Sequence, residues 1–161
     1  MITYHSVVLI CADIEKSRKF YEDLFGLETE LVIDGLVNFR EGISLWRKKI
    51  ASDLMYQGTD PSPPVKKPGQ EIYFETDDID GFFAMIQQKG TELLHPVEKT
   101  PWQQRTVRFF DPDGHLIEVG ESMEEVIRGL GRQGKPAEEV AAMTCMPVEI
   151  IRAVLSGEQK H

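Results

Sequence analysis

In the run Asp111-Pro-Asp-Gly-His-Leu-Ile-Glu118-Val, Glu118 is the one charge on the otherwise apolar strand that follows the turn, from Leu116 to Gly120. Period-2 alternation places Leu116, Glu118 and Gly120 on one face of a strand and Ile117 and Val119 on the other. A carboxylate so placed either sits on a solvated sheet face or needs a partner, and a divalent cation is one such partner. The residues just before it explain the strand. Asp111, Pro112 and Gly114 suit the first, second and fourth positions of a type I turn, with Pro presetting φ and Asp accepting from backbone amides. The apolar run Val107-Arg-Phe-Phe110 precedes the turn, so the whole reads as a hairpin holding a possible metal ligand.

The elements that must position this carboxylate come in two similar sets. His5 to Asp13 is a strand candidate rich in β-branched residues, running into a helix over Ile14 to Phe25 with Asp13 as N-cap and Gly26 just past its end. Glu71 to Asp78 is a second such strand. It feeds a helix over Ile79 to Lys89 whose Ile79, Phe82, Phe83 and Ile86 recur at i, i+3, i+4 and i+7, with Asp78 as N-cap and Gly90 closing it. Asp13 and Asp78 lie 65 residues apart. Each helix is followed by three strand-like segments: Leu27 to Ile33, Leu36 to Arg40 and Ile43 to Lys48, then Thr91 to His95, Thr106 to Phe110 and Leu116 to Val119. The pattern is a repeated βαβββ unit, and the expected class is α+β.

With the DPDGHLIEV hairpin and the doubled strand-Asp-Ile-helix-Gly pattern in this order, the chain resembles the vicinal oxygen chelate superfamily. That group includes glyoxalase I, extradiol dioxygenases, methylmalonyl-CoA epimerase and the fosfomycin and bleomycin resistance proteins. The resemblance covers residues 1–121, with modules 1–51 and 70–121 joined by a Pro-rich linker, 52–69, and a helical tail, 122–161, beyond it. It implies two βαβββ modules forming a cupped mixed sheet, often completed by a second chain, around one divalent metal ion. Carried over residue by residue, His5 matches the first-strand ligand, Glu71 the second module's first-strand ligand and Glu118 the final-strand Glu. One His and two carboxylates suit Mn, Fe, Ni, Co, Zn or Mg, and the sequence does not choose among them.

The resemblance implies a lyase or isomerase in which the metal polarises substrate oxygens and Glu71 or Glu118 acts as the base. Ser44 stands where glyoxalase I carries a ligating Glu, and Glu71 stands where extradiol dioxygenases carry His, so neither site is reproduced in full. Glu71 has an alternative partner in an arginine, because Arg40, Arg105 and Arg108 fall on or near expected strands. Trp46, Tyr73, Trp102 and Arg105 are expected to line the cup, with Arg105 receiving an anionic group of the substrate. A binding or sequestering protein of the bleomycin-resistance type is the alternative. It predicts no metal and a groove rich in aromatics and carboxylates.

Composition narrows the classes. The chain has 161 residues, 41% hydrophobic, with 18 Lys and Arg against 27 Asp and Glu, net charge −9. Such a balance disfavours nonspecific nucleic-acid binding. Val7 to Ala12 is too short an apolar run for a membrane span, and two isolated cysteines, Cys11 and Cys145, point to a reducing cytoplasm. The tail reads as helices over Ser122 to Leu130, Pro136 to Thr144 and Pro147 to Leu155, the last two opening with Pro at the first helical position. Its final pair resembles a helix-turn-helix hairpin with Val140, Ala141, Met143, Ile150, Ile151, Val154 and Leu155 as core. A ligand sensor with a DNA-binding tail is a third reading, weakened by five cations against six carboxylates beyond Gly120 and Glu121. The expected partners are a small molecule and a second copy of the chain.

Overall fold

The computed structural model describes residues 5–33, 35–56 and 71–157. The chain divides into two compact units, one of Met1–Gln70 with Phe110–His115 and the other of Glu71–Phe109 with Leu116–His161. The elements run β1(Val7–Cys11), α1(Ile14–Phe25), β2(Thr29–Ile33), β3(Leu36–Phe39), β4(Ile43–Arg47), α2(Lys48–Tyr56), β5(Ile72–Thr76), α3(Ile79–Gln88), β6(Leu93–Lys99), β7(Arg105–Phe110), β8(Leu116–Glu121), α4(Met123–Arg132), α5(Ala137–Thr144) and α6(Val148–Ser156).

Each unit holds one four-stranded mixed sheet, ordered β1-β4-β3-β2 in the first and β5-β8-β7-β6 in the second. In both, the strand before the helix pairs in parallel with the last strand of its repeat. The fold is α+β, with two βαβββ repeats and C-terminal helices. Local chemistry sets the matching helices: Asp13 caps α1 by accepting from Lys16 N, and Asp78 caps α3 by accepting from Gly81 N. Gly26 and Gly90, at φ 65° and 67°, close them in the left-handed region that a side chain would strain.

The register makes the repeat quantitative. Val8 pairs with Ser44 in the first sheet and Tyr73 with Glu118 in the second. The 65-residue offset between the two Asp caps turns Val8 into Tyr73, so Ser44 is the counterpart of Glu118 and Ser6 the counterpart of Glu71.

Several boundaries differ from the sequence expectation for physical reasons. The segment expected as a linker from Ser52 begins inside α2, which carries the chain as helix through Tyr56; its remainder, 57–69, lies outside the described residues. β6 continues past His95 to Lys99, because Pro96 falls in an edge strand, within the register shift between His95 and Glu98, where no ladder donor is needed. Pro136 and Pro147 are N-caps in extended conformation, one position earlier than expected.

The tail helices build their own core. Val126, Ile127 and Leu130 of α4 bury against Val140 of α5 and Ile151 of α6, with Ala141, Met143 and Val154 packed beside them. The expected two-helix core thus recruits α4, while Ile150 and Leu155, expected inside, are exposed. A helix pair this short buries too little apolar area alone, so a third helix completes it.

Candidate functional site

The second unit carries a charged sheet face. Alternation along β5 aligns Glu71, Tyr73 and Glu75, and the parallel register sets Tyr73 beside Glu118 and Glu75 beside Gly120 on β8. Arg108 of β7 joins them. Its Nε donates to Glu71 Oε2 at 3.0 Å and its Nη2 donates to Glu118 Oε2. Its Nη1 lies 3.4 Å from Nε2 of His95, the residue paired with it on β6. Glu118 is only 4% exposed, which rules out the solvated-face alternative and gives it the partner that burial requires.

The electrostatics follow from this packing. Burial raises the Glu118 pKa, Arg108 pulls it back, and the neighbouring Glu71 carboxylate raises it again. Burial works against the charge of Arg108, but Glu71 and Glu118 outweigh it and raise its pKa further. The guanidinium is therefore a fixed cation between two carboxylates.

That arrangement does not fit a divalent ion at Glu71 and Glu118. Arg108 already takes an oxygen of each carboxylate and puts positive charge beside both, where a second cation would be repelled. Among the described residues no group of three or more His, Cys, Asp or Glu side chains is arranged to hold a metal.

A polar chain borders the triad. The Tyr73 hydroxyl donates to Glu75 Oε1 at 2.8 Å and accepts from Gln104 Nε2 at 2.6 Å. Gln104 also donates to the Glu121 carbonyl and accepts from Trp102 Nε1 at 3.0 Å. Partial burial beside Glu75 and Glu118 pushes the Tyr73 pKa up to about 12 despite the Gln104 bond, so the phenol stays neutral. Gly120 makes room for this chain: a Cβ there would come within 2.7 Å of Gln104 Nε2 and 3.1 Å of the Tyr73 hydroxyl. Tyr73 and Trp102 remain 47% and 39% exposed, leaving two aromatic surfaces beside the carboxylates.

Arg105 is placed otherwise than the sequence suggested. It lies three residues before Arg108 on β7, in the opposite alternation shared with buried Val107 and Phe109, and is bound by Asp80 at 3.0 Å and Glu121 at 3.3 Å. Its charge is spent within the fold. Sequence reasoning named Arg108 only as a possible partner for Glu71, and it took Gln104 as one amide of the Pro101-Trp-Gln-Gln-Arg105 loop without a role of its own. The available signal was the parity of Arg108 and Glu118 on adjoining hairpin strands.

The first unit answers this face with neutral groups. Ser44 Oγ donates to Ser6 Oγ at 3.0 Å, so Ser6 is the residue that shares the Ser44 face. His5, one residue earlier, is exposed. The 65-residue offset from Glu71 leads to Ser6 rather than to His5. Trp46, paired with Ile10 and Leu36 on β4, is half-buried in the first unit, whereas Tyr73 and Trp102 belong to the second.

The hairpin turn is a separate cluster in the first unit. Buried Asp111 accepts from the Tyr21 hydroxyl at 2.9 Å, from His115 Nδ1 at 2.7 Å and from the backbone amides of Asp113 and His115. Asp113 accepts from Ala12 N and the Ser17 hydroxyl. Burial alone would raise the Asp111 pKa, but its His115 bonds prevail and lower it; His115 is raised by the same pair against its own burial. Tyr21 and Cys11 are pushed up by burial, Cys11 to about 12, which makes its thiol inert near neutrality.

The sheet order, the hairpin and the repeat agree with the comparison to known sequences, in which the family model described as a glyoxalase-like domain matches residues 4–124. The chain belongs to the glyoxalase-like family. This places it in the vicinal oxygen chelate superfamily. Among curated relatives, the glyoxalase-like chain is 26% identical to YaeR of Escherichia coli (strain K12) over 127 residues, covering 73% of this chain and 94% of that protein. Among solved structures it resembles a protein of unknown function from Agrobacterium tumefaciens str. C58, with TM-score 0.67, 33% identity and coverage of 76% and 95% of the two chains. It also resembles a lactoylglutathione lyase from Agrobacterium tumefaciens, with TM-score 0.57, 27% identity and coverage of 75% and 94%. No helix among the described residues is long and apolar enough to cross a membrane.

Proposed function

We propose that this glyoxalase-like protein binds a small, basic, aromatic molecule on the β5–β8 sheet face without a metal ion. The observation that carries the reading is Arg108 bonded at once to Glu71 and Glu118, a resident cation where the family resemblance places a divalent one. Arg108 answers Glu71 and Glu118, while Glu75 on the same face is held only by the neutral Tyr73 hydroxyl, so the face keeps an acidic excess beside exposed Tyr73 and Trp102. An aromatic amine gains there both ring contact and charge attraction. Thermal-shift and Trp-fluorescence titrations with aromatic amines and aromatic carboxylates test this. Saturable binding of an amine that is lost in Tyr73→Ser is expected; preference for the carboxylates would sink the reading.

A second reading, a metal-dependent lyase or isomerase, is favoured by the 27% identical lactoylglutathione lyase. It takes His5, Glu71 and Glu118 as ligands and Glu71 or Glu118 as base, and it requires Arg108 to leave both carboxylates. Residence in the cytoplasm belongs to either reading. Exposed Leu31, Val32 and Ile33 on β2 support a homodimer, which sedimentation equilibrium tests.

A further inference from the structure

We infer that the helical tail holds a separate binding site for an organic anion with an apolar chain, in the cavity between the C-terminal ends of α4 and α6. The cavity measures about 570 Å³, within the range of small-molecule sites. Arg128, Arg132 and Lys135 line it together with Val154 and Leu155, and no acidic side chain is among its described lining residues. Three converging cations stand out in a chain of net charge −9.

The simplest structural role for cations at this place is to neutralise helix C-terminal carbonyls. Backbone amides already do so: Gln133 N donates to the Gly129 and Leu130 carbonyls, Gly134 N to that of Gly131, and Gly157 N to that of Val154. The cations do meet acids, Arg128 with Glu124, Arg132 with Glu125 and Lys135 with Glu139, but none of these acids lines the cavity. The Arg132 contact is long, at 3.5 Å. Arg128 Nε is buried with no hydrogen-bond partner among the described residues. The Arg128 side chain is itself 39% exposed and donates to Glu124 from Nη2, so its guanidinium keeps further donors for an acceptor oxygen. Leu155, 39% exposed, and Val154 offer the apolar wall. An anionic head on the guanidinium groups and a short hydrocarbon chain on that wall satisfy both halves of the cavity.

The site uses no residue of the sheet face, so its test is independent of the function proposed above. Isothermal titration of the full chain with octanoate, acetate and inorganic phosphate reads it directly. Saturable octanoate binding is expected, with acetate and phosphate far weaker. Arg132→Glu, at an exposed position, should weaken octanoate about tenfold or more, the loss of one charge-assisted contact, and Leu155→Gln should weaken octanoate while leaving phosphate unchanged. Circular-dichroism melting of both variants confirms that the tail stays folded. Absence of saturable octanoate binding, equal affinity in a folded Arg132→Glu, or phosphate binding as tightly as octanoate would each overturn the inference.

Discussion

At matched positions of one repeat, the first sheet places two serine hydroxyls in contact with each other, and the second places two glutamates on either side of an arginine. Backbone topology and register are shared, while at these matched positions only the second half carries charge. The lesson is that a duplicated scaffold fixes where side chains point, and the types at two register positions decide whether that place is neutral or ionic. It also separates two kinds of buried charge: Glu118 is balanced by a cation on its own sheet, Asp111 by a turn full of donors.

The largest test of this contrast is Arg108→Met, which leaves Glu118 buried without its cation. A loss of about 3–5 kcal/mol is expected from urea denaturation, as for other broken buried pairs. The matched change in the first unit, Ser44→Ala, should cost about 1 kcal/mol, the scale of one neutral hydrogen bond. Equal losses would erase the difference between the halves. Arg108→Met combined with Glu118→Met should recover much of the single-variant loss, because an apolar pair of similar volume replaces the ions.

The fold was largely legible, the site only partly. Caps at Asp13 and Asp78 and the periodic helices after them are local chemistry, and local chemistry is written in the sequence. Arg108 could be read only once two strands were paired, since its meaning lies in whom it faces across β7 and β8. Ser6 was within reach through the 65-residue offset, yet His5 draws attention by residue type alone. Gln104 carried no signal, because an amide in a Pro-Trp-Gln-Gln loop becomes a hub only when Trp102, Tyr73 and Glu121 converge on it. The helix α2 was hidden by the Pro-rich segment after it.

Smaller effects sharpen the picture. Gly120→Ala forces Gln104 away from Tyr73, and a cost of about 1–3 kcal/mol is expected from overpacking, together with weaker aromatic-amine binding in the fluorescence titration. In the first unit, the raised His115 pKa means its pair with Asp111 stabilises fully below the ordinary histidine pKa and is lost as pH rises through the folded value. The lowered Asp111 pKa adds the opposite edge: its share is present above the ordinary carboxylate pKa and is lost as pH falls through the depressed one. Stability of the wild type should therefore decline on the alkaline side of the histidine range. That decline should be absent in His115→Gln. A pH-independent difference between the two proteins would show that the pair is not ionic.

The most direct measurement is elemental analysis of protein purified without added metal or chelator, before and after incubation with Mn²⁺, Ni²⁺, Fe²⁺, Co²⁺ and Zn²⁺, for the wild type and Glu118→Ala. With Arg108 as the resident cation, wild type retains well below one equivalent of any of them after desalting. Near-stoichiometric metal in the wild type that vanishes in Glu118→Ala would contradict the account and restore a metal to the sheet face.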